Sequence, residues 1–373
     1  MRYRDVLVCS VGTSLLGNLK NTGDEEINKD CQNRHHKGVA LQLLHKYDPD
    51  DRLLGAEINS ITSINRRGLL QDRRKLIFLV SDTEDGKFIG QVLCHYYDHA
   101  DNPYRFGQVE MQTLEGLTDA DPQRFRTDGL RSLVRAIAKV VRFETSERLV
   151  INATGGYKAQ ISFAGMIGQA LEIPVCYLFE KFSEVIELPP QPIALDLSFW
   201  LENVETFFAL DQNELEVNPA KYEEKFASLV DEIAMNGQTL VGLSAVGQLF
   251  HETYQHWFDK QRLNILPPDT NISLAKKAII YEKSNQGRHK GLKKYLEKIS
   301  EIHYVQSINT YYYNPDLPLR PYFRPASQGG PDCVEAGYSD GKATTKFNIF
   351  TTASTKAQQR AVIADLFSRF GKG

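Results

Sequence analysis

The sequence predicts an α/β protein whose N-terminal half is built on a parallel sheet, and three observations indicate this. Short apolar runs alternate with helical patterns over the first 190 residues. The runs are continuously apolar, which is typical of parallel strands buried on both faces. Several of them end in small polar residues, as in SVGTSLLGN, VSDTEDG and NATGGYKA. Because ligands bind open parallel sheets beyond the carboxyl ends of the strands, we expect a binding site there.

The strands and helices of this half can be assigned in chain order. The helical patterns lie between the apolar runs, most clearly in GLRSLVRAIAKVVRF at 129–143. The fifth run is long enough to contain a hairpin in addition to a strand. The five predicted strand regions are residues 5–12, 75–83, 106–117, 148–156 and 174–190.

The rest of the chain predicts two further regions. Residues 188–200, with several prolines, indicate a linker, and mainly helical stretches follow, including 222–237 and 243–260. Beyond the break LPPD come a basic helix, β-rich sequence with an Asp340-Gly341 turn, and an amphipathic helix at 356–370. We therefore predict domains at residues 1–195, 196–265 and 266–373, the last a small α+β domain.

Composition favours a globular protein without disulfides. Of the 373 residues, 42% are hydrophobic and 24% are charged, which is ordinary for a globular chain. No apolar run reaches the roughly 18 residues of a membrane span, and the first residues lack a secretory signal pattern, so we expect a cytoplasmic location. The five cysteines are odd in number and form no CxxC pair, which favours free thiols over disulfides or zinc ligands.

Charge is unevenly distributed along the chain. From Arg262 onward there are 17 lysines and arginines against 9 acids, a net charge of +8, whereas the remainder carries −11. A basic C-terminal third suggests contact with a polyanion such as nucleic acid. A solvated basic helix face would give the same count, so charge alone leaves both interpretations open.

The stretch NATGGYKA has the features of an anion site. Main-chain N–H groups from Thr154 to Gly156 lie at a predicted helix start, where the helix dipole favours negative charge. The two glycines permit close approach of a phosphate, and Lys158 adds a cation. Many glycine-rich turns serve only packing. The sequence contains neither GxxxxGK[ST] nor GxGxxG, which disfavours nucleoside triphosphate and dinucleotide binding.

An ordered set of segments in the first 190 residues resembles the CARF domains of CRISPR-associated proteins. The likeness is strongest to the branch with GTS after the first strand and NATGGYK after a later one. The resemblance implies a Rossmann-like homodimer that binds a cyclic oligoadenylate across its two-fold axis. Cyclic tetra-adenylate is favoured because its symmetry matches such a dimer. The segments are SVGTSLLGN (10–18), GAEINSI (55–61), VSDTEDGKFIGQVL (80–93), EGLTDADPQRFRTDGL (115–130) and VINATGGYKA (150–159).

The resemblance also implies roles for individual residues. Residues of the first loop would contact phosphate and ribose, and residues of the second would hold phosphates. Some CARF domains slowly cleave their ligand in-line without metal, and Ser14 and Lys158 are the candidates for that ring-nuclease activity. The predicted ligand-binding residues are Gly12, Thr13, Ser14, Asn152, Thr154, Gly155, Gly156 and Lys158.

Several effector types common in such proteins do not fit the C-terminal half. A HEPN ribonuclease needs an arginine with a histidine five to seven residues later, and no arginine has this spacing. In HETYQH the second histidine follows at i+5, so His251 and His256 would point away from each other and predict a helix-surface pair rather than a zinc site. The EEK at 223–225 has the spacing of a PD-(D/E)xK nuclease motif but lies in a charged, helical pattern.

The order of elements after residue 266 is similar to that of RelE-type toxins, which cut messenger RNA on the ribosome. This resemblance consists of topology and charge without an invariant motif. It implies metal-free cleavage by lysine, arginine and tyrosine. Tyr322 lies between two of the candidates, His289 and Lys290 lie on the predicted basic helix, and the tyrosines in 310–314 could stack bases or pack a strand. The candidate catalytic residues, any of which could instead be a solvated cation, are Arg320, Arg324, Lys342, Lys346, Lys356 and Arg360.

These observations predict a ribonuclease of type III CRISPR defence that is activated by a cyclic oligoadenylate. The expected partners are cyclic tetra-adenylate, messenger RNA with or without the ribosome, and a second copy of the chain, with no cofactor, metal or membrane. Two alternatives stay open. Residues 243–258 could belong to a winged-helix DNA-binding transcription regulator, or the chain could be a dedicated ring nuclease.

Overall fold

The computed structural model describes residues 3–179, 181–190, 197–211, 226–235, 238–282 and 289–371. The chain divides into two compact units. The first comprises Met1–Ala194, Tyr222–Asp231 and Leu243–Thr253, and the second comprises Leu195–Lys221, Glu232–Gly242 and Tyr254–Gly373. The segment 196–265, predicted as a region of its own, is thus shared between the two units.

A six-stranded sheet forms the centre of the first unit. Its order is β3-β2-β1-β4-β5-β6, and all neighbouring pairs are parallel except β5 and β6, which form an antiparallel hairpin. The predicted parallel sheet with a terminal hairpin is therefore confirmed. The strands are Val6–Ser10 (β1), Lys75–Ser81 (β2), Gln108–Leu114 (β3), Leu149–Asn152 (β4), Val175–Tyr177 (β5) and Ile186–Leu188 (β6).

Helices cover both faces of this sheet. Alternate residues of β1 enter different cores: Leu7 and Cys9 pack with residues of α1 to α5, whereas Val6 and Val8 pack with residues of α7 and α8. This arrangement explains why the strands are continuously apolar. The helices are Ser14–Lys20 (α1), Glu25–Gln32 (α2), His36–Lys46 (α3), Gly55–Arg66 (α4), Glu84–Asp98 (α5), Pro122–Arg124 (α6), Leu130–Glu144 (α7) and Lys158–Ala170 (α8).

The stretch after the sheet contains a hairpin where a helix is expected. Residues 222–237 carry a helical pattern, yet 230–235 form a strand that pairs with 238–243. The sequence has Asn-Gly at 236–237, a dipeptide that favours hairpin turns, and strand pairing outweighs the local helical pattern. The EEK at 223–225 and part of the linker, 191–196, lie outside the described residues. The elements are Ser198–Glu202 (α9), Val204–Asp211 (α10), Val230–Met235 (β7), Gln238–Leu243 (β8) and Ala245–Ile265 (α11).

A five-stranded sheet dominates the second unit, in the order β11-β12-β13-β10-β9. Only the β9–β10 pair is parallel, and Asp340-Gly341 forms the predicted turn between β12 and β13, with φ of +88° at Gly341. The predicted antiparallel hairpin and the terminal helix are confirmed. The elements are Ala278–Ile280 (β9), Leu292–Ser300 (α12), Val305–Asn314 (β10), Tyr322–Pro325 (β11), Cys333–Ser339 (β12), Thr344–Thr351 (β13) and Lys356–Phe370 (α13).

The two faces of this second sheet differ in character. One face is apolar and packs on α12 and α13, with the Phe323 and Phe367 rings 5.3 Å apart and Phe347 edge-on to Tyr295 at 6.3 Å. Residues one position away along the strands point to the opposite face, which carries Arg324 and Lys346. The second unit therefore presents a polar sheet face that these two helices do not cover.

Two local predictions about histidines are wrong. His251 of HETYQH is fully buried in α11 rather than on a helix surface. The basic helix begins at Leu292, so His289 and Lys290 precede it, and His289 is buried whereas Lys290 is exposed.

Among the described helices, none is both long and apolar enough to span a bilayer.

Candidate ligand-binding and catalytic sites

Two loops meet at the carboxyl edge of the first sheet. Because β1 and β4 are parallel neighbours, the loops that follow them, residues 11–13 and 153–157, leave the sheet side by side. A Cβ atom on Gly12 would lie only 2.8 Å from the main-chain nitrogen of Gly156. Gly156 itself has a φ of +105°, and a Cβ there would lie 2.2 Å from Gln160 Oε1. Gly12 is therefore required by the close contact between the loops, and Gly156 by its left-handed backbone conformation.

A buried hydrogen-bond network supports the second loop from below. Asn152 Nδ2 donates to Ser60 Oγ at 2.8 Å, and Thr154 Oγ1 donates to Asn152 Oδ1 at 2.7 Å. The main-chain N–H of Leu178 donates to Thr154 Oγ1 at 3.0 Å, and Ser10 Oγ donates to the Gly155 carbonyl at 2.5 Å. Asn152 and Thr154 are only 1% and 9% exposed. Their side chains therefore position the loop, although the sequence predicts them as phosphate contacts.

The mouth of the site is formed by the other predicted residues. Thr13, Ser14 and Lys158 are exposed, Gly12 and Gly156 are half-buried, and Gly155 is buried. Lys158 begins α8, a helix of 13 residues whose dipole favours an anion at this end. The arrangement combines a cation, hydroxyl groups and a helix start within two adjoining loops, which suits a phosphate-containing ligand.

A residue of this site that the sequence analysis does not assign is Glu57. It lies in the GAEINSI segment, in the first turn of α4, and it is fully buried. Its Oε1 accepts the main-chain N–H of Gly12 at 2.7 Å, so this N–H is directed inward. Burial raises the pKa of Glu57, while hydrogen bonds from the main chain act in the opposite direction. The signal in the sequence is a single acid within an apolar helical pattern.

A polar cluster on the open face of the second sheet forms a candidate catalytic site. The carboxylate of Glu335 accepts hydrogen bonds from Tyr322 Oη at 3.0 Å and from Arg324 at 2.6 Å. Tyr311 is also hydrogen-bonded to Glu335. The Arg324 guanidinium lies 5.0 Å from the centre of the Tyr322 ring. Glu335 is 6% exposed, so three donors converge on one nearly buried carboxylate.

The strand register connects this cluster to Lys346. Tyr322 pairs with Gly337, and Gly337 pairs with Lys346 on the next strand. A Cβ on Gly337 would lie 2.4 Å from the Tyr322 ring, so the ring covers this glycine. Lys346 Nζ lies 5.1 Å from the centre of the Tyr312 ring. Directly paired residues point to the same face, and Lys346 therefore shares the face of Arg324 and Tyr322.

The protonation states of the cluster follow from burial and charge. Burial and the negative charge of Glu335 raise the pKa of Tyr311 to about 12 and raise that of Tyr322 further. Burial alone would raise the pKa of Glu335, but the hydrogen bonds from Arg324 and Tyr322 outweigh it and hold this pKa below its usual range. At neutral pH the phenols are therefore protonated and the carboxylate is ionised.

The remaining predicted cations lie outside this cluster. Arg360 on α13 forms an ion pair of 2.8 Å with Glu205, and the charge of Arg324 also lowers the pKa of Glu205, although burial raises it overall. Lys342 is exposed in the β12–β13 turn, and Lys356 is exposed at the start of α13. Arg320 is exposed before β11. The structure thus joins Arg324 and Lys346 in one cluster, with Arg360 linked to Arg324 through Glu205.

A second group of polar residues surrounds His289. Its Nδ1 lies 2.7 Å from Thr345 Oγ1, its Nε2 lies 3.6 Å from Asp340, and burial lowers its pKa. The histidine is therefore neutral near pH 7.

Within the described ranges no group of three or more His, Cys, Asp or Glu side chains could hold a metal ion. A cavity of about 1080 Å³ lies beside His289 and is lined in part by His289, Lys290, Lys293 and Lys294.

Comparison with known proteins links part of the chain to CRISPR systems. Residues 52–191 match a CRISPR-associated protein family, Cas_APE2256. The matched segment begins three residues before α4 and ends just after β6. It contains Glu57 and the NATGGYK loop but not the GTS loop. The CRISPR association predicted for the N-terminal half is supported, over less than half of the chain.

Other comparisons add only distant similarity. A solved structure of Can2 from Sulfobacillus thermosulfidooxidans in complex with cyclic tetra-adenylate matches with 11% sequence identity and a TM-score of 0.25. The match covers 72% of this chain and 71% of that chain. No curated protein matches the sequence significantly.

Proposed function

We propose that the chain is a ribonuclease of type III CRISPR defence that a cyclic oligoadenylate activates. The first unit binds the ring, with cyclic tetra-adenylate as the favoured ligand, and the second unit cleaves messenger RNA. The observation that carries this proposal is the pair of glycine loops that meet above a buried polar network. The second of these loops lies in the segment that matches a CRISPR-associated family. The RelE-like character of the second unit is supported by its polar sheet face.

Ring binding would use the exposed mouth of the two loops. Lys158 and the start of α8 attract a phosphate, and the hydroxyl groups of Thr13 and Ser14 are exposed beside it. The buried side chains of Asn152 and Thr154 hold the second loop in place. A ring of phosphodiesters offers several anionic groups, so it can contact the loops of two copies at once.

Dimerisation is supported by the character of α8. This helix follows the second loop directly, and its exposed residues include Met166 and Ser162, while a Cβ on Gly165 would meet nothing within 4 Å. Met166 is 43% exposed in a helix with no acidic residue in its first turn and no basic residue in its last turn. After Lys158 the helix carries no charged residue. A second copy packed along this part of α8 would bring two ring-binding loops together across a two-fold axis.

The polar cluster of the second sheet supplies the groups that RNA cleavage requires. In the proposed reaction the RNA 2′-hydroxyl attacks the adjacent phosphorus, and its proton passes to Glu335. Arg324 and Lys346 neutralise the phosphorane. A protonated tyrosine, Tyr311 or Tyr322, donates its proton to the departing 5′-oxygen and recovers a proton from Glu335. The bond to the 5′-oxygen breaks as the 2′,3′-cyclic phosphate forms, so protons and bonds balance.

A translation extract programmed with one messenger RNA tests the proposal. We expect cleavage of the translated RNA after addition of cyclic tetra-adenylate, and little cleavage with cyclic tri- or hexa-adenylate or without any ring. A parallel reaction with the same RNA and no ribosomes shows whether the ribosome is needed. Intact RNA in every activated reaction, together with a shifted promoter fragment, would instead favour the DNA-binding alternative.

The fate of the ring in the same reactions tests a second activity. Ser14 and Lys158 directly follow the two adjoining loops, at the starts of α1 and α8. A 2′-hydroxyl of the ring aligned with its leaving oxygen could therefore attack in-line while Lys158 stabilises the phosphorane. We expect slow conversion of cyclic tetra-adenylate to linear products over hours. A ring that stays intact at high protein concentration would exclude this self-limiting activity, whereas fast degradation without RNA cleavage would identify a dedicated ring nuclease.

A further inference from the structure

A buried carboxyl group lies directly beneath the two ring-binding loops. Glu57 is 0% exposed, and its Oε1 accepts the Gly12 N–H at 2.7 Å. Its Oε2 is buried and has no hydrogen-bond partner in the part of the chain that the structure describes. An ionised carboxylate with one unsatisfied oxygen in this position is costly, because it has lost its water without a full replacement.

The glycines of the site leave no side chain between Glu57 and the loops. A Cβ on Gly155 would lie 2.0 Å from Glu57 Oε1, and one on Gly12 would lie 3.5 Å from the same atom. A Cβ on Gly55 would lie 3.7 Å from Oε2. The main chains of both loops therefore enclose the carboxyl group. Only the backbone of the loops would separate a charge on this group from a phosphate bound above them, so the two charges would interact at short range.

The titratable groups around Glu57 do not neutralise it. Cys9 on β1 and Tyr97 on α5 face it, and burial raises the pKa of both groups, so both are uncharged near neutral pH. Lys158 at the start of α8 is the cation of the adjoining loop, and its side chain is exposed to solvent rather than packed beside the carboxyl group. On α4 itself, the last-turn Arg66 pairs with Asp50.

We propose that Glu57 couples ring binding to proton uptake, because a phosphate in the loops favours the protonated carboxyl group over the ionised one. This inference rests on the proposed function of the two loops. A phosphate held above the carboxylate would be repelled by it, whereas the neutral carboxyl group removes that repulsion and still accepts the Gly12 N–H. Ring affinity therefore falls as the pH rises through the interval between the pKa of Glu57 in the free protein and its higher pKa in the complex.

Calorimetry of the full-length chain with cyclic tetra-adenylate from pH 6 to 9, in buffers of different ionisation enthalpy, tests the coupling. For the wild type we expect net proton uptake and a loss of affinity of up to about tenfold per pH unit for each coupled carboxyl group. The Glu57→Gln variant is expected to bind without this proton uptake and to exceed the wild-type affinity at pH 9. Gln keeps the acceptor for Gly12 but cannot ionise.

Glu84→Gln is the matched control, because Glu84 lies at the same edge of the sheet and its side chain is 88% exposed. It should retain the wild-type pH profile. Equal pH slopes and equal proton uptake in the wild type and Glu57→Gln would overturn the coupling while leaving ring binding intact. Wild-type protein that binds no ring at any pH would overturn the proposed function as well. If Glu57→Gln does not fold, wild-type calorimetry decides alone, since the absence of proton uptake contradicts the inference.

Discussion

Thr154 in the second loop and Lys158 at the start of α8 lie four residues apart, yet they have different roles. Thr154 is buried and is hydrogen-bonded to the buried Asn152 Oδ1 and to the main-chain N–H of the half-buried Leu178. Lys158 is exposed at the start of α8. Thr154 therefore maintains the shape of the loop, whereas Lys158 contributes a positive charge to the candidate binding site.

Replacing these two residues separates the two roles. Thr154→Val keeps the shape of the side chain but removes the hydrogen bonds to the buried Asn152 Oδ1 and to the half-buried Leu178 N–H. We expect a loss of about 1–3 kcal/mol in the free energy of unfolding. Lys158→Ala should leave that free energy unchanged and weaken ring binding at least tenfold. Urea unfolding and calorimetry with cyclic tetra-adenylate measure the two effects. Wild-type stability in Thr154→Val would contradict the role given to the buried network.

The cations proposed as catalytic differ in a similar way. Arg324 contacts Glu335 and Tyr322 in the polar cluster, whereas Lys342 is exposed in a turn. We expect Arg324→Ala to reduce ring-activated RNA cleavage by at least a hundredfold, because it removes the charge that neutralises the phosphorane. Lys342→Ala should retain activity within a few-fold of wild type. Comparable losses in both variants, measured as cleavage rates at saturating ring, would show that the cations act through general attraction of RNA.

Residue types at these sites could be predicted from the sequence, but the directions of their side chains could not. Gly12 and Gly156 are predictable because a strand-to-helix turn that admits a phosphate requires glycine. Asn152 and Thr154 are small polar residues after a strand, and only the packing of Ser60 and Leu178, distant in sequence, turns them inward. Glu335 has no local sequence signal, since its partners come from neighbouring strands.

At the scale of elements, the start of β1 is held by an ion-pair cluster. Asp5, 2% exposed, pairs with Arg74 before β2 and with Arg148 before β4. Burial alone would raise the pKa of Asp5, but hydrogen bonds from Arg148 and Arg74 outweigh it and hold this pKa below its usual range. The three strands β1, β2 and β4 are thereby joined at the end of the sheet opposite the two glycine loops.

The Asp5 cluster predicts how stability responds to acid. Because the pKa of Asp5 is lower in the folded state than in the unfolded state, its ionised carboxylate stabilises the fold at pH values above the ordinary aspartate pKa. This stabilisation is lost as the pH falls through the pKa of Asp5 in the folded state. Because both arginines are more than a third exposed, we expect Asp5→Asn to cost only about 1–2 kcal/mol at pH 7. The difference from wild type should shrink towards pH 3. Urea unfolding across this range would contradict the account if the difference stayed constant.

Elements with strong local patterns are those that the sequence predicts well. Lys356–Phe370 is helical over the whole amphipathic stretch, and β1, β2 and β4 lie within their predicted apolar runs. The hairpin at 230–243 is missed because its helical pattern is local, whereas the pairing of its two strands is not. The start of α12 is missed for another reason: Gly291 adopts a φ of +82° immediately before it, a conformation that ends the preceding loop and fixes where the helix begins.

For the whole molecule, the account assigns sensing to an acidic N-terminal part and RNA cleavage to a basic C-terminal part. The net charge of +8 from Arg262 onward suits a polyanionic substrate. The sequence indicates this division through charge and through motif order, and the family match at 52–191 supports its first half. The assignment of RNA cleavage depends instead on the polar sheet face, whose members come from four separate strands and could be recognised only after folding.

Titration of the full-length chain with cyclic tetra-adenylate, followed by calorimetry and by sedimentation, tests most directly whether two copies of the glycine loops hold one ring. The account predicts a saturable interaction at one ring for every two chains, in a species with the mass of a dimer. Saturation at one ring per single chain, or no heat with cyclic tri-, tetra- or hexa-adenylate, would contradict it.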